Sequence, residues 1–430
     1  MTLITRRSQT PAGSSSLSPR RRRSPPPSDS SSLTGTTSSL ESKPENVRVL
    51  VRVRPASEEE RAQASPTEPD GMVWQVKKDQ CISLDPSFSS STGRPSTLYS
   101  YDSVISNSEN VIVYDANVKP FVRSVMEGVS ATVLAYGQTA SGKTYTMSGK
   151  PCENKQPGII GMSIADIFSY IREQATEKRE YLLRVSYLEV YNETIRDLLS
   201  NESKEPRIME DKRRGVYLSP LREEIITSPV QVMGILRRGE ANRHISATES
   251  NERSSRSHTI LQIIVESRKR GVSKYHTRRT GRGSSVTLGA SIRFSQLNLI
   301  DLAGSEKPSD DEERRREATF INKSLLALGN VIHKLTEEDP VHIPYRDSKL
   351  TRILQPSLSG NARIVVICTL CPTGNSYGES VNTLRFAQRL KKVTTAATTN
   401  RILDDKALLQ KYRLEIMELK ARLLPRLMLA

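Results

Sequence analysis

The chain has 430 residues, with 64 Lys and Arg against 48 Asp and Glu, a formal net charge of +16. That length allows about two or three domains, or one large domain with tails, and a hydrophobic content of 36% is low enough to expect an unfolded portion. No stretch nears the roughly 18 apolar residues of a membrane span, the first ten residues lack the apolar core of a secretory signal, and four cysteines are too few for a disulfide framework.

Residues 1–44 are rich in Ser, Pro, Thr and Arg and almost devoid of large apolar side chains. Burial cannot offset chain entropy in such a segment, so it is expected to be disordered. Arg6, Arg7, Arg20, Arg21, Arg22, Arg23 and Lys43 against Asp29 and Glu41 give it a net +5. Arg20–Arg23 reads as a solvated charge run or as a polymer-binding or nuclear-localisation element. Ser18-Pro and Ser24-Pro are candidate phosphorylation sites, and a phosphate there would weaken attraction to an acidic surface.

Folded texture begins at Glu45. Val47 to Arg54 alternates Val with Arg, a strand pattern closed by Pro55. Ser130 to Tyr136 is an apolar strand that runs into Gly137, Gln138, Thr139, Ala140, Ser141, Gly142, Lys143 and Thr144, a match to G-x-x-x-x-G-K-[ST]. Glycines there let backbone N–H groups curl around phosphate oxygens, and the following helix points its positive end at them. Lys143 would reach the β- and γ-phosphates and Thr144 a magnesium ion, so nucleotide binding is the expectation.

Leu182–Tyr191 and Thr259–Glu266 read as strands. Between them Asn251–His258 crowds hydroxyls, an amide and two arginines into eight residues, as a polar capping loop or a ligand loop. Residues 268–293 hold Arg268, Lys269, Arg270, Lys274, Arg278, Arg279, Arg282 and Arg293 and no acid. Such a stretch is a solvated loop or a contact for an acidic partner. A buried strand ends at Ile300, and Asp301-Leu302-Ala303-Gly304 follows. The aspartate can hold magnesium through water, and Gly304 lets a backbone N–H approach a γ-phosphate.

Ile321–Leu335 has helical spacing. Arg346, Lys349 and Arg352 recur at i, i+3 and i+6, which predicts three cations along one side of a helix. Ile364–Cys371 is an apolar strand, so Cys368 and Cys371 read as packing residues in a reducing compartment, not as a metal or redox pair. Strands alternating with helices predict an α/β sheet with helices on both faces. Leu409, Tyr412, Ile416, Leu419 and Leu423 form a short heptad seam ended by Pro425, a packing helix or a dimer contact.

The blocks GQTASGKT, NERSSRSH and DLAGSE, in this order and spacing, resemble the P-loop, switch I and switch II of the kinesin motor domain. Arg52–Pro55, Tyr187–Asn192, Ile321–Leu325 and His342–Arg352 extend the resemblance across about residues 45–424. It implies an α/β P-loop NTPase kinesin motor fold, a central mixed sheet with helices on both faces, followed by a short neck helix. The implied layout is a basic arm (1–44), motor domain (45–393), neck linker (394–403), neck helix (404–424) and end (425–430). Leu403–Ile416 further resembles the neck of the CENP-E-like kinesins.

By this resemblance Arg52 and Pro55 border the adenine, with Tyr114 near its ring, and residues Gly137 to Tyr145 hold the nucleotide. Thr144 and Ser255 are implied to coordinate Mg2+, with Asp301 acting through water. Ser254 and Gly304 would close on the γ-phosphate, and Arg256 would pair with Glu306. Glu306 would relay the proton and Asn251 would hold the water or switch geometry. Lys323, Arg346, Lys349 and Arg352 would meet tubulin, and Asn400 would latch the neck linker. The strand near residues 45–50 would pair with that linker.

The cofactors implied are ATP and Mg2+, and the partner is the microtubule, with no membrane and no nucleic acid. A homodimer through the neck helix is expected if the chain continues beyond Ala430, which carries no tail domain. The place expected is the cytoplasm, on the cytoskeleton or spindle. Plus-end-directed motor activity is the leading reading. A non-motile microtubule-binding or tip-regulating kinesin with weak ATPase is the alternative, and a nucleic-acid ATPase lacks any RNP or zinc-finger motif. One departure from the family lies at residues 307–320. This segment is short and acidic, with Ala318 where Gly is usual and Asp310, Asp311 and Glu312 each four residues before an arginine. That spacing favours a pre-formed helix.

Overall fold

A computed structural model describes residues 44–65, 68–106, 109–150, 156–174, 179–200, 204–211, 215–245, 255–269, 291–306, 312–338 and 342–403. The described residues all lie in the compact unit Ser42–Ala430. Its strands, in chain order, are β1 (Glu45–Asn46), β2 (Arg48–Val53), β3 (Ser103–Ser106), β4 (Ala131–Tyr136), β5 (Arg179–Tyr191), β6 (Thr194–Asp197) and β7 (Arg207–Asp211). After them come β8 (Gly215–Ser219), β9 (Glu224–Ile226), β10 (His258–Lys269), β11 (Ser291–Asp301), β12 (Arg363–Leu370), β13 (Thr394–Thr395) and β14 (Arg401–Leu403). The helices used below are α1 (Asn110–Asn117), α2 (Lys119–Met126), α3 (Lys143–Ser148), α4 (Ile159–Gln174), α5 (Pro229–Ile245), α6 (Glu312–Leu335), α7 (Lys349–Pro356) and α8 (Tyr377–Leu390). A small antiparallel sheet, Trp74–Lys77, Cys81–Leu84 and Tyr99–Ser100, packs beside β2.

The main sheet runs β9-β5-β10-β11-β4-β12-β2-β3, with β6 beside β5 and β14 beside β11. Pairing is parallel from β11 through β4, β12 and β2 to β3, and antiparallel elsewhere. Strand residues alternate between the two faces, because successive side chains point to opposite sides. Val49, Val51 and Val53 of β2 and Val366 and Cys368 of β12 face one core, which α6, α7 and α8 cover with Leu325, Leu328, Leu350, Leu354 and Leu384. Leu50, Val133, Val365 and Ile367 face the other, covered by α1, α2, α4 and α5 through Tyr114, Phe121, Ile164 and Ile235. Helices therefore lie on both faces of a mixed sheet, as expected. Cys81, Cys368 and Cys371 are free, and burial pushes the Cys368 thiol well up, which suits packing and not reaction.

Two features depart from the pattern read in the sequence. The three expected cations do not share one helix. Ser348 is extended (φ −146°, ψ 151°) and caps α7 by accepting from the Leu350 N–H, so Arg346 falls in the preceding 3-10 turn Tyr345–Asp347. The basic insert is not wholly uncompensated either, since Arg268 at the end of β10 pairs with Glu180 of β5 at 2.7 Å. The backbone of α6 begins at Glu312, inside the acidic segment. Residues 270–290 of the insert, residues 1–43 of the arm and the neck helix lie outside the described residues.

The end of the described chain runs beside the amino-terminal end of β11. β13 pairs with β1, and β14 pairs with Ser291–Arg293 of β11. Between them Asn400 donates its N–H to the Gly128 carbonyl and accepts from the Phe294 N–H, both at 3.0 Å, while its side chain reaches Ser130 Oγ at 3.4 Å. The contacts of Asn400 are thus mostly backbone. Gly128 has φ +99°, and an added Cβ would lie 3.0 Å from Thr399 Cγ2 and 3.2 Å from the Arg293 side chain. Gly128→Ala should therefore release this segment more than Asn400→Ala, by a backbone strain of about 1–3 kcal/mol. A fluorescence probe on residue 401 would report it, and equal docking in the two variants would refute the backbone latch.

Candidate nucleotide and switch site

The glycine-rich loop joins β4 to α3, at the carboxyl end of a parallel strand. Lys143 opens α3 and is 7% exposed, and its Nζ donates to the carbonyls of Gly137 (3.0 Å) and Gln138 (2.8 Å). Burial lowers its pKa, opposed by the nearby Asp301 and Glu306 carboxylates. Thr144 is exposed, and its hydroxyl donates to Asp301 Oδ2 at 2.6 Å. Asp301 sits at the end of β11, and burial raises its pKa against the pull of Thr144 and Lys143. Its second oxygen, Oδ1, is buried without a hydrogen-bond partner. A buried carboxylate oxygen with free lone pairs beside an exposed threonine hydroxyl fits a hard cation such as magnesium, which takes oxygen ligands and keeps several waters.

The loop is braced from three sides. Ser141 Oγ bonds Thr369 Oγ1 of β12 at 2.6 Å, and Gln138 Nε2 donates to Ser376 Oγ at 3.0 Å. Arg54 Nε donates to the carbonyl of Ala140 at 2.7 Å, while its guanidinium pairs with Glu60 at 2.5 Å. Ala140 itself stands at φ +61°, a sparsely populated conformation for a residue with a Cβ. Arg54 was legible only as part of Arg52-Val-Arg-Pro55, and its bracing role was missed. Glu60, three residues after the capping Ser57, was the available signal.

The expected adenine border is differently arranged from a simple open wall. Arg52 is 5% exposed and donates to Asn110 Oδ1 (2.5 Å) and Thr146 Oγ1 (2.8 Å). Its guanidinium lies 5.2 Å from the centre of the Tyr145 ring. It acts as an interior strut beneath Tyr145, whose hydroxyl donates to Gln156 at 2.5 Å. Pro55 is exposed. Tyr114 is buried, and its hydroxyl donates to Asp166 of α4 at 3.0 Å.

The second switch meets the loop directly. Glu306 accepts from the Thr139 N–H at 2.8 Å and from its hydroxyl at 2.5 Å. The carboxylate is thus turned to the P-loop. Gly304 N–H donates to the Ser255 carbonyl at 2.8 Å, and Ser305 N–H to the Gly137 carbonyl at 3.1 Å. A Cβ added to Gly304 would lie 2.4 Å from both Glu306 oxygens and from Thr139 Oγ1, so any side chain there would displace this carboxylate from the loop. Asn251 and Ser254 lie outside the described residues.

His258 was the largest omission of the sequence reading. It is 2% exposed, accepts from the Ala303 N–H through Nδ1 at 2.9 Å, and meets Ser324 Oγ through Nε2 at 2.8 Å. Since Nδ1 accepts, Nε2 carries the proton and donates to Ser324. One ring therefore joins the end of the NERSSRSH block, the DLAG turn and α6. Arg243 of α5 adds a second link, donating to Ser257 Oγ at 3.0 Å beside buried Glu189.

Among the expected track residues, Lys323 and Arg346 are exposed, Lys349 is half-buried, and the Arg352 side chain is 13% exposed.

Comparison with known proteins agrees with this geometry. The kinesin motor domain model matches residues 52–393. Kinesin-related protein 11 of Dictyostelium discoideum is 50% identical over 334 residues, 76% of this chain and 47% of that protein. Kinesin-like protein KIN-7M, chloroplastic, of Arabidopsis thaliana is 43% identical over 388 residues, 90% of this chain and 34% of that protein. The chain thus spans about a third to a half of these relatives. A solved structure described as a fast kinesin superposes with a TM-score of 0.71 at 35% identity, covering 84% of this chain and 95% of its own. With a match over most of its length, the chain belongs to the kinesin motor domain family, whose members are microtubule-stimulated ATPases that bind ATP with magnesium.

Proposed function

We propose that this chain hydrolyses ATP with magnesium and uses the cycle to move toward the plus ends of microtubules. The observation that carries this reading is the set of three hydrogen bonds between nucleotide loop and second switch, two from Thr139 to Glu306 and one from Thr144 to Asp301. Any change at the loop is felt at both switch residues. Magnesium, when bound, supplies positive charge to the phosphoryl oxygens. Thr144 and Ser255 are the residues that would hold it, with Asp301 acting through water.

Lys143 neutralises phosphate charge, while the backbone from Gly137 to Thr144 positions it. Pro55 and Tyr145 flank the base above Arg52, while Tyr114, buried and bonded to Asp166, stays in the core. Ser254 and Gly304 close on the terminal phosphate. Glu306, brought to Arg256 as the switches close, takes the proton from water, and Asn251 steadies that loop. His258 carries the movement to α6, and the segment latched by Asn400 gives the stroke. That segment lies after the motor core, which in kinesins goes with plus-end movement.

Lys323, Arg346, Lys349 and Arg352 offer positive charge to acidic tubulin, an attraction that weakens with salt. Dimerisation through residues 404–424, membership of the CENP-E-like group and a place on the cytoplasmic cytoskeleton or spindle are further parts of this proposal. They rest on the neck resemblance and the free cysteines. A non-motile role is disfavoured by the intact Lys143, Asp301 and Glu306 contacts. ATP turnover should rise manyfold with microtubules. Equal turnover with and without them would sink the reading, and polarity-marked gliding toward minus ends would overturn its direction.

A further inference from the structure

The cations expected to meet tubulin face a carboxylate of the chain itself. Glu210 of β7 lies 3.7 Å from Arg346 and pairs more closely with Arg352. Glu210 and Arg346 have side chains 48% and 79% exposed, whereas that of Arg352 is 13% exposed. β7 and β8 form a two-stranded ribbon with Glu210 opposite Val216, separate from the main sheet. The base of α7 is fixed from another direction. Glu193, in the turn between β5 and β6, accepts from Ser348 Oγ and from the Lys349 N–H, each at 2.7 Å. Helix α7 therefore does not need Glu210 to hold its place. What Glu210 does is cover two arginine heads with one carboxylate.

We propose that Glu210 is an internal substitute for the acidic side chains of the track, screening Arg346 and Arg352 until a tubulin carboxylate displaces it. The proposal rests on the microtubule-binding reading above. The exposed contact of Glu210 with Arg346 is weak, so exchange there of one carboxylate for another is nearly balanced. Its effect is to lower affinity for weakly acidic surfaces and to speed release, because the screen re-forms when the track leaves. Specificity gained by disfavouring wrong partners is a general use of such contacts.

The test is microtubule co-sedimentation of the whole chain at one fixed nucleotide, from low to high salt. Glu210→Gln should bind about two- to fivefold more tightly than the unaltered chain at low ionic strength. The gain should shrink as salt rises. It should vanish when Arg346 and Arg352 are both changed to Gln, because the pair is then absent. Unchanged or weaker binding by Glu210→Gln overturns the screen. So does a gain that persists without the two arginines, which would be long-range steering by net charge. An unaltered chain that fails to bind at any salt sinks the microtubule reading itself and this inference with it.

Discussion

Replacing Glu306 by alanine is expected to lower microtubule-stimulated ATP turnover about a hundredfold or more, with microtubule binding retained. The size follows from the ordinary contribution of a positioned proton acceptor. The structure gives the reason this carboxylate, among the acids nearby, should have so large an effect. It is held at the nucleotide loop by two bonds from Thr139, at 2.8 and 2.5 Å, and it fills the space over Gly304 that a Cβ would need. Loss of the side chain frees Thr139 and removes a carboxylate that the second switch brings to that loop. Glu306→Gln separates the two effects. Glutamine can still accept a bond from Thr139, but cannot take a proton. If turnover in the glutamine variant returns to that of the unaltered chain, Glu306 positions the loop and does not relay a proton. If both variants are slow and only alanine weakens nucleotide affinity, the relay and the bracing are distinct. Measuring ATP turnover and nucleotide affinity for the pair decides it.

The sequence carried the fold because each buried strand announces itself locally. Val47 to Arg54, Ser130 to Tyr136 and Ile364 to Cys371 are short β-branched runs, and all three are central strands. The phosphate loop was legible for a similar reason, since its chemistry needs glycines at fixed spacing. What was not legible were contacts between residues far apart in the chain. Nothing in the spacing of Asn251–His258 shows that both nitrogens of its last residue are used, one by Ala303 and one by Ser324. Nor does the alternation around Arg52 distinguish a strut under Tyr145 from a residue facing a ligand. Arg346 is the instructive middle case. Its spacing from Lys349 and Arg352 is helical, yet Ser348 before an apolar-periodic run is an N-cap signal that starts the helix after it.

His258→Ala should destabilise the domain by about 3–5 kcal/mol at neutral pH, a cavity cost together with an unpaired buried N–H at Ala303. The pH dependence gives a sharper test. Burial, with the Lys143 charge close by, lowers the folded-state pKa of His258 to about 3 from an ordinary 6.5. Its ring is bonded to the Ala303 N–H, which cannot accept, and to Ser324, so a second ring proton would break the link to the DLAG turn. Between these two values the unfolded chain binds a proton that the folded chain refuses. The stability this neutral ring permits is therefore complete above about pH 6.5 and declines as pH falls toward 3, by about 1.4 kcal/mol per unit. Asp301, whose pKa is raised, shifts stability the other way, so only the difference between variants is diagnostic. The gap between the unaltered chain and His258→Ala in urea unfolding should narrow by roughly 1 kcal/mol from pH 6.5 to 5.5. His258→Gln, able to accept from Ala303 and donate to Ser324, should recover part of the stability without the pH slope. A gap that stays constant over that unit of pH would show that the ring is protonated in the folded chain. The three-way link from switch I through the DLAG turn to α6 would then have to be held by something other than a neutral imidazole.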